Sequence, residues 1–249
     1  MDRRSHIVGI VILLLMVIFL SGAEGARKIS NSFSLLKQLD VGAAVGESRG
    51  YTIIYYNAKI SKALKYSIEL ADEAGASVRA IETKIDSTTH DLYVIDYNAG
   101  PSGDPKFIIY RKIDQALKKL ASIPGDNLII PGDGNVYVSG ESDDFFDRRR
   151  KYVLSEGTLK EVPQPYYYVG LRTRNVKPLD IYSDRDYQIK VAHLPTGSEI
   201  EVLVASLRRQ FKYDFLIKSA YGLTGWATIE GQDSLCGTES IKGICFHGD

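Results

Sequence analysis

Few residues in this chain combine the types and spacing that chemistry needs. Cys236 and Cys245 lie close together near the C-terminal end, with His247 just beyond them. In an oxidising compartment such a pair forms a disulfide. It would close a short loop and contribute ~2–3 kcal/mol by restricting the unfolded chain. The alternative is a metal site on Cys236, Cys245 and His247, but this offers three ligands with a cramped Cys-x-His spacing, where a structural zinc takes four. A catalytic thiol is disfavoured, because no histidine or acid is spaced to serve either cysteine. The reading is a disulfide, with no metal and no cofactor.

The other candidates lack converging geometry. Of the four histidines, His6 lies in the N-terminal apolar segment and His247 in the tail. His90 follows Thr88-Thr89 and precedes Asp91, but a triad needs groups delivered from separate segments, so His90 reads as a loop residue. His193 has no partner that sequence can name. Asp126, Asp133 and Asn135 are oxygen ligands near glycines; their spacing is not that of an EF-hand, and Asp-Gly turn chemistry accounts for them. Asp143, Asp144 and Asp147 precede Arg148-Arg149-Arg150-Lys151, with Phe145-Phe146 between. That cluster could hold an anion or a membrane surface. Mixed-sign clusters are ordinary surface, so it reads as a solvated connection with the phenylalanines packed inward. Carboxylates are plentiful, and nothing selects a pair for glycoside hydrolysis.

Lys+Arg 31 balances Asp+Glu 31, which argues against a dedicated nucleic-acid binder, whose function needs a basic surface, while leaving room for a local basic patch. Hydrophobic residues at 44% are ample for a core. Sixteen tyrosines against two methionines lean toward sheet. Tyrosine is also frequent at recognition surfaces.

Arg3-Arg4, an apolar run from Ile7 to Leu20 and the small residues Ser21, Gly22, Ala23 and Gly25 follow the order of a secretory signal peptide. The run is shorter than the ~20 residues of a membrane-spanning helix. Residues 1–25 are therefore expected to be removed, and the rest to work in the periplasm or outside the cell. The alternative is an inner-membrane anchor over residues 7–23, the only membrane contact expected.

The elements that would position any site come next. Residues 26–50 read as a lead-in, with a helical turn or two over Ser34–Asp40. Tyr51–Tyr56 is a strand by its β-branched and aromatic content. Lys59–Ala74 carries Ile60, Ala63, Leu64, Ser67, Ile68 and Ala71 at helical spacing, and Gly75 stands at the cap position. Val78–Ile85 fits strand or helix. Asp91–Tyr97 and Phe107–Tyr110 are strands. Ile113, Ala116, Leu117, Leu120 and Ala121 predict a second helix, stopped before Pro124-Gly125. Hairpin signals follow at Pro131–Gly134 and Ser155–Gly157. Residues 51–169 thus read as an α+β domain of two helices plus antiparallel strands. Pro163-Gln-Pro165 marks a boundary. Short strands at Leu179–Tyr182, Lys190–Leu194, Glu199–Ala205, Phe215–Ile217 and Thr224–Ala227 then predict a small all-β barrel over 170–231, and residues 232–249 form a disulfide-bearing tail.

Leu194-Pro-Thr-Gly197 with Ile200-Glu-Val-Leu203, and Phe215-Leu-Ile-Lys218 with Tyr221-Gly-Leu-Thr-Gly-Trp226, resemble the bacterial SH3 (SH3b) family. The family's opening Leu-Asn-Val-Arg-like phrase is Leu179-Asp-Ile-Tyr182 here. The resemblance covers residues 170–231 and implies an SH3-like barrel that binds cell-wall peptide or glycan, or another envelope protein, in an exported bacterial protein. By position Tyr182, Tyr187, Tyr221 and Trp226 would line an aromatic groove, and Trp226 could equally close the barrel core. Residues 51–169 resemble no family. The function expected is binding without catalysis; the alternatives are a cell-wall hydrolase with its site in residues 51–169 and an envelope scaffold.

Overall fold

A computed structural model describes residues 35–42, 52–69, 77–100, 104–141, 144–209, 212–230 and 236–247. The expected signal peptide lies outside these residues. Among those described, no helix is long and apolar enough to cross a membrane.

The described chain is built from seventeen strands. The first two are β1 (Lys37–Asp40) and β2 (Ile53–Tyr56). An antiparallel meander follows: β3 (Ser61–Glu69), β4 (Ser77–Thr83), β5 (Leu92–Asn98), β6 (Lys106–Ile113) and β7 (Ala116–Pro124). The chain then returns through β8 (Asn127–Ile130), β9 (Asn135–Gly140), β10 (Arg148–Ser155) and β11 (Thr158–Glu161). These four join β1 and β2 in a six-stranded sheet of order β1-β2-β8-β9-β10-β11, in which β8 runs parallel to β2. A parallel neighbour requires a long crossover, and here the crossover is the five-stranded meander itself. The last six strands are β12 (Tyr167–Arg174), β13 (Leu179–Tyr182), β14 (Lys190–Leu194), β15 (Glu199–Arg209), β16 (Lys212–Ser219) and β17 (Thr224–Glu230). They form a second six-stranded sheet of order β12-β15-β16-β17-β13-β14.

The α+β expectation is overturned: both expected helices are strands. β3 occupies the first, and its pairing with β4 slips between Ala63 and Ser67, where four steps on β3 match two on β4. The four-residue spacing read as a helical face comes from that irregularity. Residues 70–76, including Gly75, lie outside the described set. The second helix is β7. Leu120 is an extra residue opposite the Ile109–Tyr110 step of β6, and this bulge converts strand alternation into a Leu117–Leu120 interval. The turn expected before Asp40 is β1. Val78–Ile85, which fitted strand or helix, carries most of β4.

Two hydrophobic cores hold these sheets. The first draws on both N-terminal sheets, with Ile54, Leu128, Ile130 and Val138 from one and Ile81, Tyr93, Ile95, Tyr97, Phe107 and Ile109 from the other. Tyr97 and Phe107 meet at 5.6 Å. Each such side chain contributes ~1.5–3 kcal/mol when fully buried. The second core lies inside the C-terminal sheet, where Ile181, Val202, Ala205, Phe215, Ile217 and Ala227 are fully or almost fully buried.

The second core is completed from outside its own strands. Phe145 and Phe146, just before β10, are buried in it. Phe146 packs edge-on against Tyr213 at 5.5 Å and Phe215 at 6.0 Å, and Phe145 against Tyr213 at 5.7 Å. Ile241 and Ile244 of the tail enter the same core. The inward phenylalanines match the sequence expectation, but the solvated acidic connection expected beside them does not hold at Asp144, which is buried. Asp144 is 4% exposed and accepts hydrogen bonds from the Phe145 N–H (2.9 Å), the Tyr213 hydroxyl (3.2 Å) and Arg148 Nη1 (3.2 Å). Arg148 also reaches Glu161 (2.8 Å) and the Tyr167 hydroxyl (2.9 Å).

Burial holds the Asp144 carboxyl above the ordinary carboxylate range, outweighing the pull of Arg148. A raised folded-state pKa means that the folded chain takes up the proton before the unfolded chain does, so this group's contribution to stability rises as pH falls through that pKa. Asp144→Asn keeps an acceptor and should cost no more than about 1 kcal/mol at neutral pH, whereas Asp144→Ala leaves Arg148, Tyr213 and the Phe145 N–H short of one and should cost roughly 3 kcal/mol. Urea unfolding of both variants checks this ranking. The stability of the wild type relative to Asp144→Asn should increase as pH is lowered from 7 toward 4.

Candidate functional site

Strand alternation divides the C-terminal sheet into two faces. On β17, Gly225, Ala227 and Ile229 point to the core, while Trp226 and Thr228 point outward, only partly buried. On β16, Tyr213, Phe215 and Ile217 point inward and Asp214 outward. β13 crosses close to β17, with Tyr182 opposite Trp226. Gly225 is required for this approach: a Cβ there would lie 2.9 Å from Ile181 Cβ and 2.9 Å from the Tyr182 carbonyl oxygen. The Gly-Trp pair thus has a division of labour, with glycine letting the strands meet and tryptophan taking the outer face.

Asp214 is 1% exposed although it lies on the outer face. The segment after β13 covers it. Ser183 and Ile189 close that loop through a backbone hydrogen bond of 2.9 Å, and Tyr187 adopts a positive φ of 58°. The Tyr187 hydroxyl donates to Asp214 Oδ1 at 2.7 Å, and the Thr228 hydroxyl lies 2.8 Å from the same oxygen and against Tyr187 as well. Arg208 Nε donates to Asp214 Oδ2 at 3.0 Å, and its Nη2 reaches the Arg185 carbonyl. Arg185 Nη1 donates to Ser206 Oγ at 2.6 Å. A buried carboxylate is tolerable when hydrogen-bonded and paired, and here its partners pin the 183–189 loop to the sheet.

This arrangement creates two adjoining surfaces. One is a cleft of about 490 Å³ whose lining includes Asp180, Tyr182, Tyr187, Arg208, Lys212 and Thr228. Tyr182 and Tyr187 stand edge-on in it at 5.2 Å. The other is an aromatic and cationic array. Trp226 and Tyr166 lie 6.0 Å apart, and the Arg185 guanidinium sits 5.6 Å from the first ring and 5.9 Å from the second. Such geometry suits stacking against flat apolar faces and cation–π contact.

Of the four tyrosine and tryptophan positions picked out by sequence, Tyr182 and Tyr187 line the cleft together. Trp226 is their neighbour through the β13–β17 pairing but belongs to the outer array, outside the core cluster. Tyr221 stands apart at the β16–β17 turn, 91% exposed. Tyr166, Arg185, Arg208 and Asp214 escaped sequence reasoning. Tyr166 was assigned to the preceding domain, and no local pattern marks Asp214 as the residue beneath the loop.

The remaining candidates fall into place as well. Cys236 and Cys245 are joined by a disulfide, with Cα atoms 4.9 Å apart. His193 Nδ1 and Lys190 Nζ both meet Asp180, each at 2.6 Å, at the surface. His90 is an exposed loop residue. Asp133 Oδ1 accepts from the Asn135 N–H at 3.1 Å, a turn contact, and Asp126 Oδ2 from the Glu141 N–H at 3.3 Å, across the open end of the β8–β9 hairpin. Asp143 lies outside the described residues; Asp147 pairs with Arg149 at 3.6 Å.

Burial pushes the Tyr187 hydroxyl up to about 12 from an ordinary 10.0. A pKa raised in the folded state contributes stability that is complete below pH 10 and is lost as pH rises through the folded value. Tyr187→Phe removes the hydrogen bond to Asp214 and should cost roughly 1–2 kcal/mol at neutral pH. Chemical unfolding compared between pH 8 and pH 12 should show the gap between wild type and Tyr187→Phe closing at the alkaline end.

Comparison of the chain with protein-family models, with characterised proteins and with solved structures found no match.

Proposed function

We propose that this chain is an exported bacterial binding protein whose C-terminal sheet is an SH3b-like module for cell-envelope peptide or peptidoglycan, and that it acts by binding rather than catalysis. The observation that carries the reading is the Trp226–Tyr166–Arg185 array beside the Tyr182–Tyr187 cleft, held on a loop that Asp214 pins in place. The order of strands after Leu179, a hairpin followed by a three-stranded meander, supports the resemblance carried by Gly225-Trp226. Peptidoglycan offers what such a surface would bind. Sugar rings present apolar faces to aromatic side chains, and stem peptides carry carboxylates that Arg208 and Lys212 complement in charge. Pre-positioned rings lose little freedom on binding, which favours affinity from a small surface.

The test is retention of the exported protein on purified peptidoglycan. Trp226→Ala and Tyr182→Ala should each weaken retention on the order of 10-fold, the loss of one well-placed aromatic contact. Tyr221→Ala, at the turn, measures how far the surface extends from the cleft. Absence of wild-type retention would reject the cell-wall reading and leave an envelope protein as the partner to seek. Release of soluble wall fragments would show an enzyme with its site in residues 51–169.

A further inference from the structure

The C-terminal tail is stitched to both parts of the described chain. The Val176 N–H donates to the Ser240 carbonyl at 2.8 Å, and the Lys242 N–H to the Arg174 carbonyl at 3.0 Å. Ile241 and Ile244 are fully buried in the second core. Beyond them the His247 N–H donates to the Asp144 carbonyl at 2.9 Å, which brings the tail against the segment leading from β9 to β10. The cysteine pair sits at this crossing.

Three metal-binding side chains collect there, and a fourth, Glu141, approaches one of them from a separate stretch. The ligand atoms of Cys236, Cys245 and His247 lie within 4.8 Å of one another. Cys245 Sγ is 3.5 Å from His247 Nε2. Glu141 Oε2 lies 3.6 Å from the same nitrogen. Zinc–sulfur and zinc–nitrogen bonds of about 2.3 and 2.05 Å at a tetrahedral angle place sulfur and nitrogen roughly 3.5 Å apart, and nitrogen and carboxylate oxygen roughly 3.3 Å apart. The Cys245–His247 distance already has the first of these values, and the His247–Glu141 distance is near the second. The three-ligand set visible near the C-terminus thus acquires a carboxylate from a residue far away in sequence. His247 and Glu141 are both partly open to solvent, so an ion can reach them.

We infer that Cys236, Cys245, His247 and Glu141 form a redox-gated site for a zinc-type divalent cation. The disulfide excludes the ion while it is intact, since bonded sulfurs are not thiolates. A dithiol reductant opens it by exchange: the reductant's two sulfurs become bonded to each other, the Cys236–Cys245 bond breaks, and each cysteine sulfur gains a proton. The cation then displaces those two protons and binds two thiolates, His247 Nε2 and the Glu141 carboxylate. In either state the tail is closed, once by a covalent bond within itself and once by an ion that ties it to the β9–β10 segment.

Cobalt(II) titration of the full chain tests this directly. The protein is reduced with dithiothreitol, freed of reductant without air, and monitored for thiolate-to-cobalt charge transfer and tetrahedral ligand-field absorption. One equivalent should produce both signals and zinc should abolish them, while the oxidised protein should show neither. His247→Ala should weaken cobalt binding by at least roughly 100-fold and Glu141→Gln by at least roughly 10-fold, since loss of even an outer-shell partner costs 10–100-fold at such centres. Circular dichroism of the oxidised variants verifies that they fold. A reduced wild type without charge transfer would overturn the site, as would unchanged cobalt affinity in His247→Ala. Unchanged affinity in Glu141→Gln would overturn the four-ligand centre.

Discussion

The contact on which the rest of this molecule depends is the burial of Phe145 and Phe146 in a core that other strands build. Three consecutive residues do the work. Asp144 turns its carboxylate toward Tyr213 and Arg148, and the two rings after it fill the space beside Tyr213 and Phe215. The segment belongs to the connection between β9 and β10, so the N-terminal sheets supply part of the C-terminal core. The tail supplies another part through Ile241 and Ile244. A small sheet is short of apolar surface to bury, and borrowed side chains extend its core. The polar cluster around Asp144 is the cost of that arrangement, and its hydrogen bonds keep the cost small.

The candidate site uses the same device on the opposite face. Asp214 is buried under a loop, accepts from Tyr187 and Arg208, and has Thr228 beside it. A hydrogen-bonded carboxylate in a dry position fixes direction as well as distance, so the loop can hold Tyr187 and Arg185 in set places. Trp226 needs no such help, since a strand already orients it and Gly225 lets β13 come close. The aromatic surface therefore combines one ring held by regular sheet with others held by a polar pin. Binding sites gain from such rigidity because less freedom is lost when the ligand arrives.

Most strands after Leu92 were legible because alternation, β-branched residues and glycine turns agree there. Failures came where alternation breaks. The slip between Ala63 and Ser67 and the extra residue at Leu120 each insert a step that looks like a helical interval. Periodicity cannot distinguish a bulged strand from a short amphipathic helix, because both place apolar residues three or four apart. The site was legible only in part, for a different reason. Tyr182, Tyr187 and Trp226 stood out by type and position, whereas Asp214 and Tyr166 matter through neighbours that only folding provides.

By itself the sequence determined the hairpin-rich C-terminal strands and the close pair of cysteines, since both follow from local spacing and residue type, while the outward place of Trp226 was settled only by the fold. Tertiary structure alone decided the parallel pairing of β2 with β8, the insertion of Phe145 and Phe146 into a distant core, the burial of Asp144 and Asp214, and the meeting of His247 with Glu141. Each of these joins residues far apart along the chain. Local propensity carries no information about such partners; they are selected by how the sheets share their apolar faces and by which polar groups must then find one another away from water.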